Sequence, residues 1–281
     1  MDKKRFHFND YYSSRTWKIF IIPVIVLSLM LEIWQNNNGP EILDFILMWI
    51  PGASAMAATY FGLKENGETF HLRTFFRKVG VRGCKPTYVL LGILIPLLYI
   101  LIPYLIYWKI HPESYKYLNV SMITVIKNIG PIMVMGIFFK AMSALGEEIG
   151  WRGYMLPYLT EKYDLKKAII IVSLFWAGWH FPVLIGGDYM AGAPLWYKLS
   201  AFTFCVAGIG VITAILTYQA KSIWPAVFLH AAHNNFDQMV FGAITSGTDK
   251  MYYVSETGIL TIICVWIFAL LLIVWLKRDS Q

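Results

Sequence analysis

The sequence predicts an all-α fold, a polytopic membrane bundle of about eight transmembrane helices with the N- and C-termini in the cytoplasm. Three observations lead there. The 281 residues are 57% hydrophobic and only 15% charged, whereas soluble domains carry about a quarter charged residues. About eight segments reach the roughly 20 mostly apolar residues that a membrane crossing needs. The connections between them alternate between cation-rich and cation-poor, as positive-inside topology requires.

Taken in order, the spans run from about Trp17 to Trp34, Leu43 to Gly62, Thr87 to Trp108, Met122 to Leu145, Ala168 to Ile185, Ser200 to Tyr218, Ile223 to Ile244 and Gly258 to Leu276. The first run is long and lacks a small-residue cleavage site, so it reads as a retained span rather than a signal peptide. Pro51 lies inside the second span, and the seventh is unusually polar in its middle. Cations mark one side of every crossing: Lys3, Lys4, Arg5, Arg15 and Lys18 before the first span; Lys64, Arg73, Arg77, Lys78, Arg82 and Lys85 between the second and third; Arg152, Lys162, Lys166 and Lys167 after the fourth; Lys221 after the sixth; Lys277 and Arg278 at the end. These account for most of the net charge of +7 and suit anionic lipid headgroups better than nucleic acid. The spans and short loops leave residues 1–281 as one integral-membrane domain, with a catalytic core expected over about 122–244. A multi-pass protein of a bacterial plasma membrane is the expected setting.

Between the second and third spans, Phe70, Leu72, Phe75 and Phe76 alternate with His71, Arg73, Arg77 and Lys78. This pattern fits either a short amphipathic helix on the inner leaflet or a solvated loop. The three cysteines, Cys84, Cys205 and Cys264, are isolated and offer no zinc or disulfide spacing.

Chemistry concentrates first in Gly146-Glu147-Glu148-Ile149-Gly150-Trp151-Arg152-Gly153. On a helix Glu148 and Arg152 are four residues apart and face one another, while Glu147 turns aside without a partner in its own helix. Carboxylates at membrane depth are costly and mark function by default. Gly146 and Gly150 form a small-xxx-small face open to another helix. Three of the six histidines, His7, His71 and His111, fall in tails or loops. The other three, His180, His230 and His233, lie inside predicted spans. His230, Asn234 and Asp237 share one helical face at i, i+4 and i+7, with His233 beside it.

Two chemistries fit this set. Glu147 can act as a general base on water that a histidine orients, while His230 and Asn234 donate to an oxyanion. Alternatively Glu147, His180 and His230 can hold a zinc or another divalent ion, since two histidines and a carboxylate are a catalytic ligand set. Motifs of other intramembrane proteases are absent: there is no His-Glu-x-x-His, no Gly-x-Gly-Asp and no Gly-x-Ser-x-Gly.

Glu147-Glu148-x-x-x-Arg152, then Trp176-x-x-x-His180, then His230-x-x-x-Asn234 resembles the three-motif signature of the CPBP family. That family comprises the type II CAAX prenyl endopeptidases and the bacteriocin-processing Abi proteins. The resemblance implies a glutamate- or metal-type membrane endopeptidase built as an eight-helix bundle. By position, Glu147 and His180 would activate water, His230 and Asn234 would form the oxyanion site, and Glu148 and Arg152 would support them. Its substrate would be a membrane-associated protein or peptide, prenylated in some members. Trp176 departs from the usual phenylalanine, and altered packing rather than altered chemistry is expected there. The alternatives are a non-catalytic immunity or scaffold protein using the same polar cavity, and a transporter with an ion path along the seventh span.

One spatial difficulty follows from this layout. Glu147 ends the fourth span near the cytoplasmic surface, yet His180 lies about 20 Å into the fifth at about 1.5 Å per residue. Convergence requires the fourth helix to continue to about Tyr158, with the site opening toward the cytoplasm.

Overall fold

A computed structural model describes residues 12–278 except 38, 188 and 191; Lys3, Lys4, Arg5 and His7 lie outside the described residues. Every regular element among these is helical. Helix α1 (Ser14–Asn36) is capped by Ser13, which exchanges hydrogen bonds with Thr16, and pairs with α2 (Ile42–Glu65). A seven-residue α3 (Leu72–Lys78) follows, ending in Arg77 and Lys78, so the aromatic–basic stretch is helical over all but its first two residues. Pro86 opens α4 (Pro86–Ile110), where its missing N–H costs nothing.

The fourth span is the longest element. Helix α5 (Met122–Glu148) passes through a π-helical segment (Ile149–Met155) into α6 (Leu156–Lys162). Together they form 41 continuous helical residues, about 60 Å at about 1.5 Å per residue, against a hydrocarbon core of roughly 30 Å. The continuation expected to Tyr158 is present and reaches Lys162.

Asp164 caps α7 (Leu165–Trp179). The helix stops at His180, and α8 (Phe181–Gly186) starts on the other side of it. Pro182 cannot donate to the preceding turn and disfavours helical geometry at Phe181. Helix α9 (Leu195–Ala220) is the buried centre and packs against α7, α12 and α10. A left-handed Lys221 (φ 48°) turns the chain into α10 (Trp224–Asn234), which runs on as a second π-helical segment (Asn235–Phe241). The short α11 (Lys250–Tyr253) and then α12 (Ile259–Arg278) complete the bundle.

Among the described residues seven helices are long and apolar enough to cross a membrane, against eight expected. The difference is the seventh expected span, Ile223 to Ile244, observed as Trp224–Asn234 and Asn235–Phe241. It is present as a helix, but it is short, polar and enclosed by α4, α5 and α9. Its neighbours, not lipid, solvate its polar side chains. Lipid-facing surface is plain elsewhere: Ile22, Met30, Leu90, Phe139, Leu270 and Leu271 are all exposed, a distribution that a water-soluble protein would have to cover. The chain is a multi-pass integral membrane protein.

Candidate active site

The depth difficulty disappears because two helices pack against the same buried turn. Ile223 N–H donates to the Gly80 carbonyl at 3.1 Å, placing the start of α10 on the 79–85 connection. Gly153 sits against the same turn, so closely that a Cβ there would lie 2.3 Å from the Val79 carbonyl oxygen. Counting away from that turn, Glu147 is six residues along its helix and His230 is seven along α10. Lys162 to Glu147 and Leu165 to His180 are both fifteen residues, or about 22 Å. Three helices thus bring their polar residues to one level.

Gly146 and Gly150 make a close helix approach possible. A Cβ on Gly146 would lie 2.7 Å from Met48 O and 2.8 Å from Trp49 Cα, and one on Gly150 would lie 2.4 Å from Pro51 Cβ. The small face therefore seats α2, rather than the histidine-bearing helices.

Glu147 is 1% exposed, but it is not unpartnered in its own helix. Trp151, one turn on, donates its indole N–H to Glu147 Oε2 at 3.1 Å, and Trp176 of α7 donates to the same oxygen at 2.7 Å. Trp176 is therefore more than a packing substitution: phenylalanine has no N–H to offer. Its ring also lies 4.3 Å below the Arg152 guanidinium and meets His180 and His230 at centroid distances of 5.9 and 5.3 Å.

Glu148 braces the site from beneath. Its Oε1 accepts from Arg152 Nη1 at 2.9 Å and from His230 Nδ1 at 3.1 Å, and Glu148 and Arg152 are fully buried. The His180 Nδ1 lies 2.8 Å from the Trp176 carbonyl. A carbonyl only accepts, so His180 carries its proton on Nδ1 and presents Nε2 as a base or acceptor. His230 likewise directs Nδ1 to a carboxylate and leaves Nε2 to the cavity.

That cavity, of about 270 Å³, is lined by Glu147, Trp176, His180, His230 and Asn234 together, and by Glu32, Asp44, Lys140, Tyr189, His233, Gln238 and Glu256. The last group lies toward the helix ends away from the chain termini. The lining thus leads away from the side that carries the cationic loops, and a cytoplasmic mouth is not what it describes if those loops are cytoplasmic.

His233 and Asp237 go to a different wall. His233 is held between Tyr99 (3.0 Å to Nδ1) and Glu256 (3.0 Å to Nε2), and Tyr189 donates to the other oxygen of Glu256. Asp237 accepts from Tyr104 at 3.2 Å and from Ser255 at 2.6 Å. Asp237 therefore belongs to this network rather than to the helical face it shares in projection with His230 and Asn234; the π-helical segment, closed by Gly242 N–H to the Asp237 carbonyl at 2.9 Å, re-aims residues after Asn234. Burial raises the Glu256 carboxyl, but its hydrogen bond and attraction to His233 outweigh this and bring it below its ordinary value. Glu256 has no signal in the sequence beyond being an acid in a connection, and only the fold carries it to the cavity.

Among the described residues, no three His, Cys, Asp or Glu side chains form a cluster that could hold a metal ion. The Glu147, His180 and His230 set is interleaved with the Trp176 ring, and one Glu147 oxygen is already taken by two indoles. As arranged, these residues do not fit a metal site.

A buried acid, two oriented imidazoles and an amide on one cavity of a polytopic helical membrane protein are groups able to activate water and hold an oxyanion. Residues 129–236, which carry all four of those groups, match the type II CAAX prenyl endopeptidase Rce1-like family. The chain is also similar to "CAAX prenyl protease 2" of Methanococcus maripaludis, 32% identical over 131 residues. That match spans 45% of this chain and 46% of the relative's length.

Proposed function

We propose that this protein is an intramembrane endopeptidase that hydrolyses a peptide bond of a membrane-associated protein or peptide with Glu147-activated water. The carrying observation is that Glu147, His180, His230 and Asn234 line one cavity while Glu148, Arg152 and two tryptophans hold them in place.

In this reading a water sits between Glu147 and His180 Nε2. Glu147 takes its proton as the oxygen attacks the scissile carbonyl. The new C–O bond places negative charge on the former carbonyl oxygen, which faces Asn234 and His230. His230 donates from Nε2 only as the imidazolium, with Glu148 as its counter-charge. Collapse breaks the C–N bond, and the Glu147 proton leaves on the amine. The apolar part of the lining, including Leu47, Met48, Val183 and Phe202, suits a lipid-associated substrate. A prenylated CAAX terminus is a candidate because the relative is named for it. We place the protein in the plasma membrane with its termini cytoplasmic, in keeping with the basic loops.

The test is cleavage by the purified full chain in liposomes, with prenylated and unprenylated peptides. Cleavage that survives chelation but is lost in Glu147→Gln supports the reading. Full cellular activity of Glu147→Gln, with no cleavage by the parent protein, would instead assign a non-catalytic role.

A further inference from the structure

The cavity holds more acid than this chemistry uses. Four carboxylates line it, from Glu32, Asp44, Glu147 and Glu256, against one ammonium, that of Lys140. Glu147 is held by two indoles, and Glu256 is bonded to His233. Glu32, in the last turns of α1, is only 3% exposed, and its Oε2 has no hydrogen-bond donor. Asp44 stands exposed on the rim, in the first turn of α2. Among the described residues neither acid forms an ion pair. The Lys140 ammonium donates to Gln238 Oε1 at 3.2 Å instead.

A buried carboxylate oxygen without a donor is costly, and here the residue that carries it lines the cavity. A cationic group entering the cavity supplies both the donor and the counter-charge. The position is also fixed relative to the catalytic groups. Ser28, one turn before Glu32, accepts from Trp179 Nε1 at 2.9 Å, and the Trp179 ring is 5.0 Å from that of His180. Glu32 therefore lies about one helical turn, about 5–6 Å, beyond the level of His180. An extended peptide advances about 3.3 Å per residue.

We infer that Glu32, with Asp44 at the rim, forms a subsite for a lysine or arginine side chain of the substrate, about two residues from the bond that is cut. This rests on the endopeptidase reading for its meaning but not for its measurement.

The experiment uses the full-length protein in neutral detergent, carrying Glu147→Gln so that nothing is consumed. Binding is read by anisotropy with dansylated alanine–leucine nonapeptides in which one lysine, norleucine or glutamate is moved through the sequence. The lysine peptide is expected to bind about tenfold more tightly than its norleucine counterpart at a best position, with the glutamate peptide weakest. Adding Glu32→Gln should remove most of that difference, and Asp44→Asn part of it. Equal binding of lysine and norleucine peptides, a preference that survives Glu32→Gln with Asp44→Asn, or no binding of any peptide overturns the subsite. The same peptides are then given to the protein with Glu147 intact. A lysine preference in binding without cleavage contradicts the endopeptidase reading and leaves the subsite standing.

Discussion

At the residue scale, the two adjacent acids have opposite surroundings, and each predicts a different failure. Glu148 is fully buried between Arg152 and His230, so removing one partner strands charge in a low-dielectric interior. Arg152→Ala should cost about 3–5 kcal/mol, seen as a large drop in the thermal midpoint of the detergent-solubilised protein. The charge-free pair Glu148→Gln with Arg152→Met should recover much of that stability, but not activity. Glu147 is held only by indole N–H groups, so Glu147→Gln keeps the volume and should leave the midpoint within a few degrees while lowering turnover by about 10²–10⁴-fold. Trp176→Phe keeps the ring but removes the 2.7 Å bond to Glu147; kcat should fall about 10–150-fold, in line with one lost charge-assisted hydrogen bond of about 1.5–3 kcal/mol, with little change in KM. An unchanged kcat would mean that the indole only packs. Glu147, Glu148, His180 and His230 were legible in the sequence because polar groups at membrane depth stand out against apolar runs. The indole clamp was half legible, since Trp151 is four residues from Glu147. Trp176 and Glu256 reach the cavity only through tertiary contacts, which spacing along one helix cannot reveal.

At the scale of elements, apolar length placed the spans to within a few residues of the observed helices, except for the fourth, whose helix runs on past Leu145 to Lys162. It could not show the two π-helical segments, which directly follow Glu148 and Asn234, because their extra residue per turn depends on packing rather than composition. The interruption at His180 was foreshadowed by Pro182. The seat of α2 on Gly146 and Gly150 gives a clean contrast. Gly146→Ala puts a Cβ 2.7 Å from the Met48 carbonyl, whereas a Cβ at Gly178 meets nothing within 4 Å. Overpacking at the first should cost about 1–3 kcal/mol, and Gly178→Ala should be neutral or slightly stabilising. Thermal unfolding of the two variants side by side checks this. Equal loss in both would mean that α2 yields to accommodate the methyl group.

For the whole molecule, sidedness decides where substrate enters. The cavity lining leads toward the end that carries the Pro112–Ser114 turn and the connection before α12, opposite the basic loops. With Cys84 replaced by alanine, Glu113→Cys should react with a membrane-impermeant maleimide on intact cells, and Lys64→Cys only after permeabilisation. The reverse pattern would turn the cavity toward the cytoplasm. Those faces frame the central claim, that one buried glutamate beside two oriented histidines makes this bundle a peptidase. Its most direct measurement is the cleavage rate of a membrane-anchored peptide by the purified chain, compared among the parent, Glu147→Gln and His180→Ala at matched folding. The account predicts measurable cleavage by the parent and at least about a hundredfold loss in each variant. Cleavage at the parental rate by folded Glu147→Gln protein would contradict it.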